Sequence, residues 1–183
     1  MTETTIDYGC NDIGNKDRFV RQWGTKVKYL AEDRVWVAWD GSRWSDNDVR
    51  IYQKAEETAK SIHDEAKLSN SKELSMHAHR SRNTGPIQAM LKLASDALSV
   101  SVNDFDKDPE VLNCKNAVIN LRTGAVVAHS PGQMLRKCAN ANYDPKARCP
   151  IWLGFINEIF EGDKELVDYV QQAMGYTLTG LID

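Results

Sequence analysis

DKDPEVLNCKNAVINLRTGAVVAHSP, residues 106–131, reads as three short strands behind a turn. Asp108-Pro109 turns the chain, because proline fixes its own φ and pushes the preceding residue away from helical backbone. Residues 111–114, 117–121 and 125–129 then carry the β-branched and apolar side chains of strands. The last two are joined by Arg122-Thr123-Gly124, where Gly124 takes the positive φ of a tight hairpin at no steric cost. Strands this short do not stand alone in water, so helices from either side are expected to cover them. The fold class that follows is α+β: mainly helical, with short antiparallel hairpins around Asp40-Gly41 and Arg122–Gly124 and a helical pair near the C-terminus.

Toward the C-terminus, Leu135-Arg136-Lys137 and Lys146–Arg148 give residues 134–148 a net charge of +3. Tyr143-Asp144-Pro145 makes a turn. Cys149-Pro150 then opens a helix expected to turn Trp152, Phe155, Ile156 and Ile159 inward. Glu161-Gly162-Asp163 breaks it. Leu166, Tyr169, Val170, Ala173 and Met174 are expected to form the buried face of a last helix ending at Gly175, so the pair spans 150–175. Residues 149–183 hold six acids against Lys164, a net −5 that leaves +2 on residues 1–148 of a chain whose total is −3.

Toward the N-terminus, Gly85-Pro86 begins a helix whose buried face is Ile87, Met90, Leu91 and Ala94. The helix before it carries Leu74, Met76 and Ala78 and runs into His77, His79, Arg80 and Arg82, giving residues 71–92 a net +3. Arg80 and Arg82 here, with Arg136 and Lys137 in the later basic stretch, are the candidate phosphate contacts. Cations at a helix C-terminus also answer to the helix dipole, and both readings stand. Asp46 or Asn47 caps a long helix to about Leu68. Its narrow stripe of Ile51, Ala55, Thr58, Ile62 and Ala66 suits packing within the domain or a subunit interface, and Asn70-Ser71 breaks it. Residues 26–30 and 34–39 alternate as strands, with Trp36, Trp39 and Trp44 clustered around Asp40-Gly41. Those aromatics, beside Arg34 and Arg43, suit base stacking or pairing across the hairpin and against helices. Asn15 caps a first helix bearing Phe19, Val20 and Trp23, and Gly24 stops it.

At 183 residues and 42% apolar composition, the chain fits one ordinary globular domain spanning residues 1–183. No apolar run approaches the ~20 residues of a membrane span. The opening MTETTIDYGC is acidic and lacks the charged-then-apolar order of a secretory signal, so the expected location is the cytoplasm. Cys10, Cys114, Cys138 and Cys149 are scattered without a CxxC pair or a histidine at ligand spacing, which reads as reduced, mostly buried thiols and no metal site.

Chemistry is sparse. Residues 9–16 echo a phosphate loop but lack its Gly-Lys-Ser/Thr, and no GxxxxGK[ST] occurs elsewhere. There is no GxSxG nucleophile elbow. Asp-x-Asp occurs at 46–48 and 106–108, where a helix cap and the turn before Pro109 account for it without metal. No cofactor and no catalytic residue is expected in this segment.

Several stretches together resemble one known family. These are Asn11-Asp12-Ile13-Gly14-Asn15 with Arg18-Phe19, WVAWDGSRW from Trp36 to Trp44, Asp108-Pro109, Leu112-Asn113 and NAVINLRTG from Asn116 to Gly124. His129 with Pro131, YDPKARCPIW from Tyr143 to Trp152, and Gly175-Tyr176-Thr177-Leu178-Thr179-Gly180 complete the order. The chain is similar to the domain immediately preceding the superfamily-three helicase in phage and plasmid primase-helicases, which also joins primase to helicase in the poxvirus enzyme. The likeness covers nearly the whole chain. Ala117 departs from it, standing where the family usually has glycine, and Asn120 stands where it has an acid. The resemblance implies that Thr179-Gly180 leads toward an ATPase domain, where ATP and magnesium would act. It also implies hexameric rings on single-stranded DNA in a bacterial host, with this segment as a connector or collar. Trp36, Trp39, Trp44, Gly124, Trp152, Gly175 and Tyr176 are then structural. The alternative is an oligomerisation or protein-interaction domain with no DNA affinity of its own.

Overall fold

Asn11, one turn earlier than expected, begins the first helix: its Oδ1 accepts the backbone N–H of Gly14 at 2.9 Å. Asn15, the expected cap, lies a turn inside and is wholly buried. The computed structural model describes residues 8–46 and 48–182, so Asn47, a candidate cap for the long helix expected to run to about Leu68, lies outside the described residues. The chain forms two compact units. The first runs to Asp40 and resumes over Trp44–Phe105, and the second takes Gly41–Arg43 and Asp106 onward.

In the first unit, helix α1 (Asp12–Trp23) leads into strands β1 (Val27–Leu30), β2 (Val35–Trp39) and β3 (Trp44–Asp46). Helices α2 (Asp48–Ser69), α3 (Lys72–Ser81) and α4 (Thr84–Ala97) follow, and β4 (Ser99–Val100) returns to the sheet. The sheet order is β3-β2-β1-β4, antiparallel except for β4, which lies parallel to β1 with Tyr29 opposite Ser99. Side chains alternate across a strand. Trp36 and Ala38 therefore face the core formed by Phe19, Ile51, Ala55, Ile87, Met90 and Leu91. Trp39, one step out of phase with them, pairs instead with Trp44 across the hairpin at 6.1 Å. The three tryptophans thus form two groups, not one cluster: Trp36 stacks edge-on with Phe19 and Tyr29, and Trp44 with Trp39 and Phe105.

The α2 stripe behaves as its spacing dictates, with Ile51, Ala55, Thr58, Ile62 and Ala66 all buried. Thr58 is tolerated there because its hydroxyl is satisfied. It donates to Gln22 Oε1 at 2.7 Å and accepts from Trp23 Nε1 at 3.0 Å. Asn70 takes a positive φ of 50° and Ser71 caps α3, its Oγ accepting from Leu74 N. The helix pair then closes on Ile62, Ala66, Leu74 and Ala78. Met76 is left half exposed.

In the second unit, β5 (Val111–Asn113), β6 (Val118–Asn120) and β7 (Val126–Val127) form an antiparallel meander. Gly124 adopts φ 70° at its last turn. The helical cover expected for these strands is replaced by irregular chain. Ala139 N donates to Asn113 O, Lys115 N to Ala141 O, and the Asn116 amide clasps both backbone groups of Tyr143. His129 Nε2 reaches Cys114 O at 2.9 Å.

Both family departures are explained locally. Asn120 Oδ1 accepts from Thr123 N and Thr123 Oγ1, a task that asks only for an oxygen, so an amide replaces the acid. Ala117 has an ordinary negative φ, so no glycine is needed.

Helices α5 (Pro150–Ile159) and α6 (Lys164–Tyr176) close the chain. Their expected inner faces are corrected. On α5 only Ile156 is buried, Trp152 is half-buried against Phe155, and Phe155 and Ile159 are open to solvent. On α6 the buried residue is Val167, while Leu166, Tyr169 and Met174 are exposed. Short amphipathic helices admit several phases, and one contact seam selects among them. Gly175 lies inside α6, which ends at Tyr176, because nothing at its φ requires a stop. Of the cysteines only Cys114 is buried; Cys10 and Cys149 are exposed.

Candidate nucleic-acid interface

Helix α3 divides its residues between two faces. His77 and Ser81, four apart, turn toward α1. His77 Nε2 lies 2.8 Å from Asn15 Oδ1 and 3.2 Å from Ser81 Oγ, and Asn15 Nδ2 donates to Ser81 Oγ at 3.0 Å. Because Asn15 Oδ1 only accepts, His77 Nε2 carries the hydrogen. It therefore has no lone pair for Ser81, and the pair is no nucleophile and base. Burial, and next the nearby Arg18 cation, hold the His77 imidazole below its ordinary pKa. Arg18 is itself buried, bidentate on Glu65 at 2.7 and 2.8 Å, with a third bond to Gly9 O. His77 thus leaves the basic patch that sequence placed it in and joins an internal polar clamp.

The other face of α3 presents Ser75, His79 and Arg82 at steps of four and three, with Arg80 beside them. This face lines an open groove of about 650 Å³ against α2, whose contribution is Lys60, His63 and Asp64. Lys60, His63, His79, Arg80 and Arg82 are all exposed, and none makes an ion pair among the described residues. Asp64 has its own partner, Lys67 Nζ at 3.5 Å. Lys60 and His63 escape sequence reading because they look like ordinary solvent-side residues of α2. Only the return of α3 alongside that helix gathers them with Arg80 and Arg82.

Arg136 and Lys137 lie in the second unit. Their backbone amides donate to Asp106 Oδ1 at 3.0 and 3.3 Å, and Lys137 O accepts from Asn113 Nδ2 at 2.9 Å. Arg136 is half-buried and its segment is structural; the Lys137 side chain is exposed. The second Asp-x-Asp is spent on backbone: Asp106 on these amides and Asp108 Oδ1 on Glu110 N at 3.0 Å. Among the described residues no group of three or more His, Cys, Asp or Glu is arranged to hold a metal ion, and no helix is long and apolar enough to cross a membrane. The arrangement gathers cations on one open face, and among the described residues this site pairs no nucleophile with a base.

A family model described as D5 N terminal like matches residues 16–161. No curated protein matches the chain.

Proposed function

The chain belongs to the D5 N terminal like family, the N-terminal domain of D5-type phage and poxvirus primase-helicases, and on that premise we propose that it serves DNA replication as a non-catalytic module. It couples to an adjoining ATPase ring and touches single-stranded DNA. ATP and magnesium act in the adjoining domain and not here.

One observation carries the coupling. Helices α5 and α6 leave Ile151, Leu153, Phe155, Ile159, Leu166 and Tyr169 exposed, and of their residues only Ile156 and Val167 are buried. An apolar helical surface of this kind marks contact with another protein surface. In the full-length protein, Phe155→Ser with Ile159→Ser is expected to lower DNA-stimulated ATP hydrolysis several-fold while helicity by circular dichroism is kept. Unchanged hydrolysis and an unchanged assembly state by light scattering would overturn the coupling role.

The same apolar surface also favours a second reading, an oligomerisation module with no DNA affinity. It predicts a homo-oligomer in solution and flat anisotropy with labelled single-stranded DNA at low salt.

A further inference from the structure

We propose that the groove between α2 and α3 is a clasp for the phosphodiester backbone of single-stranded nucleic acid, formed by Lys60 and His63 on one wall and His79, Arg80 and Arg82 on the other. It rests on the DNA contact proposed above and gives that contact a place.

Three observations converge on it. First, the helix dipole accounts for cations in the last turn of α3, where Arg80 lies, but not for Lys60 and His63, which sit well inside α2. Their meeting in one groove is a property of the fold and not of either helix end. Second, two arginines elsewhere in the chain are held by carboxylates. Arg18 is locked on Glu65 and Arg122 on Glu110 at 2.7 Å. The five groove side chains have no such partner among the described residues, and the one acid between them, Asp64, faces Lys67. Third, the lining combines these donors with the Ser75 hydroxyl and the half-exposed Met76. Donors along an open groove, beside a small apolar contact, match a sugar-phosphate chain that enters and leaves. Arginine and lysine supply charge to the phosphate oxygens, and the imidazoles and hydroxyl supply directed hydrogen bonds. A free phosphate shares this chemistry, so the test separates the two sources.

The experiment is fluorescence anisotropy of labelled oligo(dT) with the 183-residue chain, titrated from about 50 to about 200 mM potassium chloride. Three phosphate contacts by Lys60, Arg80 and Arg82 predict a slope of log K on log salt near −2, at roughly 0.7 per contact on a single strand. Lys60→Gln, Arg80→Gln and Arg82→Gln each remove about 0.7 from that slope and weaken binding several-fold. These are exposed positions at which the fold is kept, checked by an unchanged thermal melt. Lys115→Gln, at an exposed position outside the groove, serves as the control and leaves the slope as it is, while Lys137→Gln tests the other basic stretch.

Full-slope binding in all three groove variants, with loss in Lys137→Gln, overturns the groove assignment while leaving DNA contact by this chain intact. No binding by the unsubstituted chain at the lowest salt overturns the groove and the DNA contact together, and leaves the coupling role to its own ATPase test. Displacement of the oligonucleotide by inorganic phosphate at an equal concentration of phosphate groups overturns the strand and reduces the groove to a simple anion site.

Discussion

Arg18 is the residue on which the first unit's polar interior depends. Its guanidinium is 3% exposed and satisfied by both oxygens of Glu65 and by Gly9 O, so removing it leaves a partly buried carboxylate without its cation. Arg18→Met is expected to lower unfolding free energy by about 3–5 kcal/mol in urea titrations, the usual cost of breaking a buried pair from one side. Arg18→Met with Glu65→Leu should cost clearly less than the sum of the two single changes. His77 makes the same region sensitive to acid. Its pKa is lowered in the fold by burial and by Arg18, with Arg80 acting the same way and Asp12 and Glu65 opposing. The unfolded chain therefore binds the proton more readily than the folded one. The contribution is fully present above the ordinary value of 6.5 and is lost as pH falls from there toward the folded value. Melting temperature should drop over that window, and in His77→Gln the drop should shrink; an equal drop in the variant would show that other groups cause it.

Among the elements, the seam between α5 and α6 separates stability from recognition. Val167→Ala is expected to cost roughly 1–3 kcal/mol, because it empties the one buried position of α6. Tyr169→Ala, on the exposed side, should stay within about 0.5 kcal/mol in the same denaturation experiment. These two helices also show where sequence reading stops. The α2 stripe was legible because five apolar or small residues over four turns admit a single phase. The hairpin at Arg122–Gly124 was legible because Gly124 supplies the positive φ that a tight turn needs. In α5 and α6 nearly every position that is not charged is apolar, so several phases look equally buried and only the tertiary seam decides. Asn15 misled for a related reason. Asn11 and Asn15 are both competent caps, and the choice fell to a half-buried histidine and a buried serine more than sixty residues away. Arg80 and Arg82 were legible as cations, whereas their groove was not, since its second wall comes from a different helix.

At the scale of the molecule, stabilising contacts and exposed charge are kept on different surfaces within the first unit. The clamp of Asn15, Arg18, Glu65, His77 and Ser81 ties α1, α2 and α3 together, and the groove cations lie on the outer side of α2 and α3. Neutralising groove residues should therefore change binding and its salt dependence without moving the melting temperature by more than a degree or two. Loss of DNA binding accompanied by a large fall in melting temperature in Lys60→Gln would contradict that separation.

In the second unit, Gly180 N donates to Pro109 O at 2.7 Å, and a Cβ at Gly180 would lie 3.3 Å from Pro109 Cα. The segment beyond α6 is thus fastened beside the first strand of the meander. Tension transmitted along the chain from Leu181 would meet this fastening before it could fray α6, and would load β5 at its root. The joint would then act as a strain relief, loading a sheet in shear before a helix unwinds turn by turn. Gly180→Ala should crowd that contact and let the last turn of α6 exchange its amide hydrogens faster, while those of β6 keep their protection.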